Sequence, residues 1–215
     1  MVAGGLQKIC YLKKGGYDLY MYKELPLFPL QNMLFPDGVL PLRIFEPRYL
    51  SMVSDCLKNE TPFVVVLIRR GKEVGGVSRL YEVGTSTKIE DFHTLEDGLL
   101  GISCRGVSRV HINDYWTQDD GLVKGRVELF EEEMPLTVND EHLPMIEFYR
   151  AVIQDENATT YREGLIEDWN NLQWLSYRIA EILPITPLSK QGLLEMTTEQ
   201  RVEELRAVMQ ANNLI

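Results

Sequence analysis

Between Tyr81 and Glu90 the chain alternates. Tyr81, Val83, Thr85, Thr87 and Ile89 fall on one side, and Glu82, Gly84, Ser86, Lys88 and Glu90 on the other. A period of two is that of a β-strand. Glu96-Asp97-Gly98 follows as a hairpin turn whose glycine can take positive φ. A return strand then carries Leu100, Ile102 and Cys104, and Val110 and Ile112 extend it. Val123, Val127 and Leu129 alternate with Lys124, Arg126 and Glu128. Upstream, Phe63 to Ile68 is six apolar residues in a row, as in a strand buried on both faces. Residues 38–45, GVLPLRIF, predict another strand. Leu25, Leu27 and Leu30 surround Pro26 and Pro29, which restricts that segment to an edge or a bulge. One helix interrupts the strands. Pro47 suits the first helical position, Tyr49, Leu50, Val53, Cys56 and Leu57 follow at helical spacing, and the pattern ends near Asn59. Antiparallel strands at this spacing predict a small barrel or a strongly curved sheet, with the helix as a plug at one end.

Beyond Pro135 the period lengthens. Leu143, Ile146, Tyr149, Val152 and Ile153 make one helical stripe, and Trp169, Leu172, Leu175, Ile179, Ile182 and Leu183 another. Pro184 stops the second helix. Thr186-Pro187 caps a short helix running through Met196, and Thr197 with Gln200 forms a capping box. That box opens a last helix with the stripe Val202, Leu205, Val208 and Met209. The pattern therefore predicts an α+β chain: a peripheral N-terminal extension over 1–22, a β subdomain over 23–135 and a helical subdomain over 136–215.

Composition narrows the chemistry. The 215 residues carry a net charge of −10, with no basic stripe of the kind that binds phosphate backbones. Lys13-Lys14 and Arg69-Arg70 with Lys72 are the largest basic groupings. Residues 139–168 hold eight acids and two arginines, which reads as a solvated helix face. No apolar run is long enough to span a membrane, and residues 1–20 lack the apolar core of a signal peptide. Cys10, Cys56 and Cys104 are dispersed and odd in number, which fits a reducing compartment and a cytoplasmic protein. No metal site is expected, since His93, His111 and His142 lie far apart and near no cysteine pair.

Catalytic patterns are missing too. There is no phosphate-binding loop, dinucleotide fingerprint, nucleophile elbow or metalloprotease helix. Cys104 with His111 would make a thiol–imidazole pair, but the alternation turns Cys104 inward. Glu131-Glu132-Glu133 would place adjacent carboxylates on opposite faces of a strand. Ser189 and Lys190 are helix neighbours that do not face each other. The expectation is a non-enzyme with no catalytic residues and no cofactor.

Several segments together resemble a known family. Glu24-Leu25-Pro26-Leu27-Phe28-Pro29-Leu30, Leu34-Phe35-Pro36 and Leu40-Pro41-Leu42-Arg43-Ile44-Phe45-Glu46-Pro47-Arg48-Tyr49 resemble the start of the Lon protease N-terminal, substrate-binding domain. Tyr81-Glu82-Val83-Gly84-Thr85, Cys104 to Val110, Ile182-Leu183-Pro184, Lys190 to Glu195 and Arg201 to Leu205 follow in the family's order. The resemblance covers roughly 24–212 and is closest to small stand-alone bacterial members. It implies a PUA-like antiparallel β-barrel with one inserted helix, followed by a C-terminal helical bundle. It also implies recognition of unfolded or flexible polypeptides or of a protein partner, as an adaptor or chaperone-like accessory of proteolysis. Full-length Lon adds an ATPase and a Ser–Lys peptidase, whose motifs this chain lacks.

A reader of flexible protein uses apolar surface rimmed by charge, or a free strand edge. On that basis Phe28, Met33 and Phe35 are candidate partner contacts, with core packing as the competing reading. Arg43, Glu46 and Arg48 are a candidate polar rim, or else ion pairs that fix the helix start. The segment 25–36 and the cleft between barrel and helices are the places such contacts would gather. Two other functions compete: a PUA-like nucleic-acid binder, and an enzyme acting on a small molecule in the interdomain cleft.

Overall fold

The computed structural model describes residues 24–71, 79–131 and 133–215. The expected extension over 1–22, Cys10, the Lys13-Lys14 grouping, Lys72 and Glu132 lie outside them. Six strands form one sheet: β1 (Leu25–Leu30), β2 (Val39–Ile44), β3 (Phe63–Arg70), β4 (Arg79–Thr94), β5 (Leu100–Thr117) and β6 (Val123–Leu129). Helix α1 (Pro47–Asn59) is inserted between β2 and β3. Five more helices follow the sheet: α2 (Leu143–Gln154), α3 (Thr159–Glu163), α4 (Leu172–Ile182), α5 (Pro187–Glu195) and α6 (Thr198–Ala211).

The strand order is β2-β5-β4-β3-β1-β6, and β6 pairs again with β5. Two expectations about β1 are corrected. It runs parallel to β3, because β2 and α1 carry the chain across between them and a parallel pair needs such a crossover. It also lies inside the sheet rather than at an edge. Its two prolines are tolerated because each half pairs on one side only. Leu25 to Leu27 face β6, and Leu27 to Leu30 face β3. Pro26 and Pro29 each sit in a stretch with one open flank.

Strand β5 is one continuous 18-residue element. Residues 100–105 pair with β2 and residues 110–117 with β6, while β4 accompanies both halves. In β4 the expected alternation meets a different environment, since residues 83–87 are buried without a break. Val83 enters the helical core, and the polar side is satisfied internally. Ser86 Oγ lies 3.1 Å from the Ser108 carbonyl oxygen and 3.0 Å from its hydroxyl, and Thr87 Oγ1 donates to Phe63 O at 2.9 Å. Hydroxyls buried this way incur no unpaired-group penalty.

Helix α1 begins at Pro47, as the sequence predicts, and buries Tyr49, Met52, Val53 and Cys56 against Phe28, Ile44 and Phe63. Leu50 and Leu57 face outward instead. Helix α2 is likewise rotated from its expected stripe: Met145 takes the buried place, and Leu143 and Val152 are exposed. The caps match the sequence closely. The Thr186 side chain accepts from Ser189 N–H, and Thr197 and Gln200 complete the reciprocal box that starts α6.

One polar knot ties the sheet to α4, α5 and α6. Arg201 has no exposed surface. Its Nε donates to Ser176 Oγ at 2.9 Å, Nη1 to the Leu193 and Met196 carbonyls at 3.3 and 3.0 Å, and Nη2 to Thr198 Oγ1 at 3.2 Å. The guanidinium lies 3.8 Å from the centre of the Tyr177 ring, a cation–π contact. Arg109 of β5 donates to the Leu194 and Met196 carbonyls at 3.0 and 2.8 Å and pairs with Glu133. Glu133 also accepts from Thr198 N–H at 2.6 Å. Burial alone would raise the Glu133 pKa, but the Thr198 bonds and the two arginines outweigh it and hold the carboxyl below its ordinary value.

Candidate functional site

The loop between β1 and β2 is threaded between sheet and helices, and each carbonyl from 34 to 38 has a donor. Thr85 Oγ1 reaches Leu34 O at 2.6 Å, and Gly38 N–H reaches Phe35 O at 3.1 Å. Arg178 Nη2 reaches Pro36 O at 2.6 Å, Arg105 Nη1 reaches Asp37 O at 2.9 Å, and Gly106 N–H reaches Gly38 O at 2.9 Å. Gly106 returns the favour by accepting from Asp37 N–H at 2.9 Å. Only glycine fits there, because a Cβ at position 106 would overlap the Phe35 carbonyl. Arg105 also donates to Gly164 O at 3.0 Å and pairs with Glu90 at 2.7 Å, so one side chain clamps β4, the loop and the end of α3.

Beside this loop opens a cleft of about 170 Å³, lined by Asn32, Met33, Leu34, Phe35, Val39, Leu40, Tyr161, Glu181 and Lys190. Its polar wall comes from three helices. Tyr161 of α3 donates to Glu181 Oε2 at 2.7 Å, and its hydroxyl lies 3.3 Å from that of Tyr149. Arg178 Nη1 faces the same Glu181 oxygen at 3.0 Å, an ion pair without hydrogen-bond alignment. Lys190 of α5 donates to the Glu181 carbonyl at 2.6 Å. Burial, reinforced by Glu181, pushes the Tyr161 pKa far up, so its hydroxyl stays protonated as a donor. Burial also raises the Asp37 carboxyl, with Arg178 and Arg105 opposing. A Cβ on Gly38 would come within 2.5 Å of Glu181 Oε1, so the loop lies directly against that carboxylate.

Of the expected partner contacts, Met33 is half-buried and lines the cleft. Phe28 takes the core-packing reading that the sequence left open, against Tyr49 with ring centres 4.3 Å apart. The Phe35 side chain is also core: it is 1% exposed and packs on Tyr177 at 5.6 Å. Both rings are drawn inward, Phe28 beneath α1 and Phe35 beneath α4. Arg43 of β2 is exposed and pairs with Asp97 in the turn between β4 and β5. Arg48 pairs with Glu46 at 2.8 Å, donates to Gly121 O at 2.7 Å and lies over the Tyr49 ring. Those contacts fix the start of α1 to the β5–β6 turn, away from the cleft.

Cys104 is fully buried, and desolvation pushes its thiol up to about 12. His111 is exposed and bonds Asn113, so no thiol–imidazole pair forms.

Residues 24–211 match the family model of the ATP-dependent protease La (LON) substrate-binding domain. The chain belongs to that family. It is similar to the crystal structure of a Lon N-terminal domain protein from Xanthomonas campestris, at 32% identity and a TM-score of 0.69, covering 86% of this chain and 97% of that one. The N terminal domain of the Mycobacterium avium complex Lon protease shares the fold at 16% identity and a TM-score of 0.59, over 87% of this chain and 97% of that one. The Lon protease of Anaeromyxobacter dehalogenans is 26% identical over 176 residues. That match covers 81% of this chain, which spans only 18% of that relative's length. The clamped loop, with Leu34-Phe35-Pro36, lies within the matched residues. No helix among the described residues is long and apolar enough to cross a membrane.

The residues that sequence reasoning missed are Tyr161, Arg178, Glu181 and Lys190. Arg178 carried a signal: it lies three residues after Leu175 and four before Ile182, on the apolar stripe of α4. A charge on such a stripe needs a buried partner. The other three sit at unremarkable helical positions, and only the fold brings them together.

Proposed function

We propose that this Lon-family domain binds flexible or unfolded polypeptide at the cleft between sheet and helices. It breaks no bonds itself and serves proteolysis as an adaptor or chaperone-like accessory. The observation that carries this reading is the cleft, whose lining combines Met33, Val39 and Leu40 with the Lys190 ammonium and the Tyr161 hydroxyl oxygen. Apolar wall and polar wall together suit a peptide, which presents both side chains and carbonyls. The return of β6 to β5 supports reading the sheet as a PUA-like barrel. The shared core of α2, α4, α5 and α6 supports a helical bundle from 136 onward. Two free buried thiols, Cys56 and Cys104, favour a reducing compartment such as the cytoplasm.

Immobilised protein should retain a permanently unfolded model chain without ATP and let the folded form of the same protein pass. Equal retention of the two forms would count against the reading.

A further inference from the structure

Lys190 is the least committed charge at the cleft. One ammonium hydrogen goes to the Glu181 carbonyl, and an ammonium has three to give. Among the described residues no carboxylate forms an ion pair with it. The nearest acid, Glu181, is already held by Arg178 and Tyr161. Burial works against the Lys190 charge and lowers its pKa, with Glu181 opposing. A partly desolvated cation with free donors is stabilised by an anion that accepts from them.

The surroundings narrow the anion's identity. Met33, Val39 and Leu40 form an apolar wall on the same cleft. Asn32 adds a side-chain amide to the lining, its oxygen accepting from Met33 N–H at 2.9 Å. The volume, about 170 Å³, is below that of pockets for drug-sized ligands. It suits a single amino-acid residue with its terminal group.

We infer that the cleft captures the C-terminal end of a bound polypeptide, with the terminal carboxylate on Lys190 and an apolar last side chain against Met33, Val39 and Leu40. This rests on the polypeptide-binding reading above and names the part of the chain that enters. An Asp or Glu side chain offers the same carboxylate, and the test separates the two sources.

A short fluorescent peptide ending in Leu is titrated by anisotropy as the free acid, as the C-terminal amide, and as an amide with Glu in the last position. The acid should bind about tenfold tighter than the amide, the scale of one hydrogen-bonded charge. The Glu-bearing amide should follow the plain amide. Lys190→Met keeps the aliphatic stem, so it should bring the acid down to the amide's affinity while costing the amide only the smaller share of a neutral hydrogen bond, so that the acid-to-amide ratio falls to about one. A purely structural lysine would weaken both alike.

Equal binding of acid and amide by the unaltered protein overturns the inference, as does a Glu-amide that matches the acid, or discrimination that survives in Lys190→Met. Should that variant fail to fold, the acid-to-amide ratio of the unaltered protein at low and high salt still decides. A ratio that shrinks with salt supports the ammonium, and a ratio near one refutes it. Retention of unfolded protein with no preference for a free end sinks this inference alone. Loss of all retention sinks the polypeptide reading with it.

Discussion

Among the described residues, two of the polar junctions between sheet and helices are each built around an arginine with no exposed surface, and the two are finished differently. At the knot of Arg109, Glu133 and Arg201, every nitrogen of Arg201 has an acceptor and Glu133 serves two elements at once. At the loop junction, Arg178 holds Pro36 and Glu181, but its Nε has no hydrogen-bond partner among the described residues. Lys190 beside it keeps donors free. A buried network with every member satisfied rigidifies a fold, whereas one with capacity left over is where a ligand adds bonds. The first junction holds the molecule together, and the second combines holding with an opening.

The sharpest way to break this contrast is to delete each arginine in turn. Arg201→Met should cost about 3–5 kcal/mol, because it leaves Ser176 Oγ, Thr198 Oγ1 and the Leu193 carbonyl without their shared donor in the interior. Arg178→Met should cost less, about 1–3 kcal/mol, since it also removes an unpaired buried Nε. Urea midpoints at unchanged slope measure both, and equal costs would erase the distinction. Glu133→Gln sharpens it through pH and should cost about 1–2 kcal/mol near neutrality. The folded pKa of Glu133 lies below its unfolded one. Its stabilising contribution is therefore present above the ordinary glutamate pKa of about 4.3 and lost as pH falls through the depressed folded value. The gap between the two proteins should close on acidification, and a gap constant with pH would count against the charged knot. The smallest effect belongs to the exposed Arg43–Asp97 pair, where Arg43→Ala should shift stability by under about 1 kcal/mol.

Much of the fold was legible because its signals are local. Pro47 and the 197–200 capping box fix helix starts from neighbouring residues alone, and Phe63 to Ile68 declares a doubly buried strand by composition. The errors are all non-local. Pro26 and Pro29 argue for an edge until two different partners divide β1 between them. For Phe28 and Phe35 the sequence leaves partner contact and core packing both open, and both are buried where α1 and α4 close over them. The candidate site was half legible: Met33, named from the sequence, lines the cleft, but the polar wall comes from three helices whose convergence no spacing rule encodes.

The bond from Arg178 to the Pro36 carbonyl joins residues 142 positions apart. Chains emerge from the ribosome N-terminus first, so all six strands exist as nascent polypeptide well before the guanidinium that finishes their central loop. Glu181 and Lys190 arrive later still. A chain made only as far as the sheet therefore lacks the polar wall of the cleft, which closes once α4 and α5 have been synthesised.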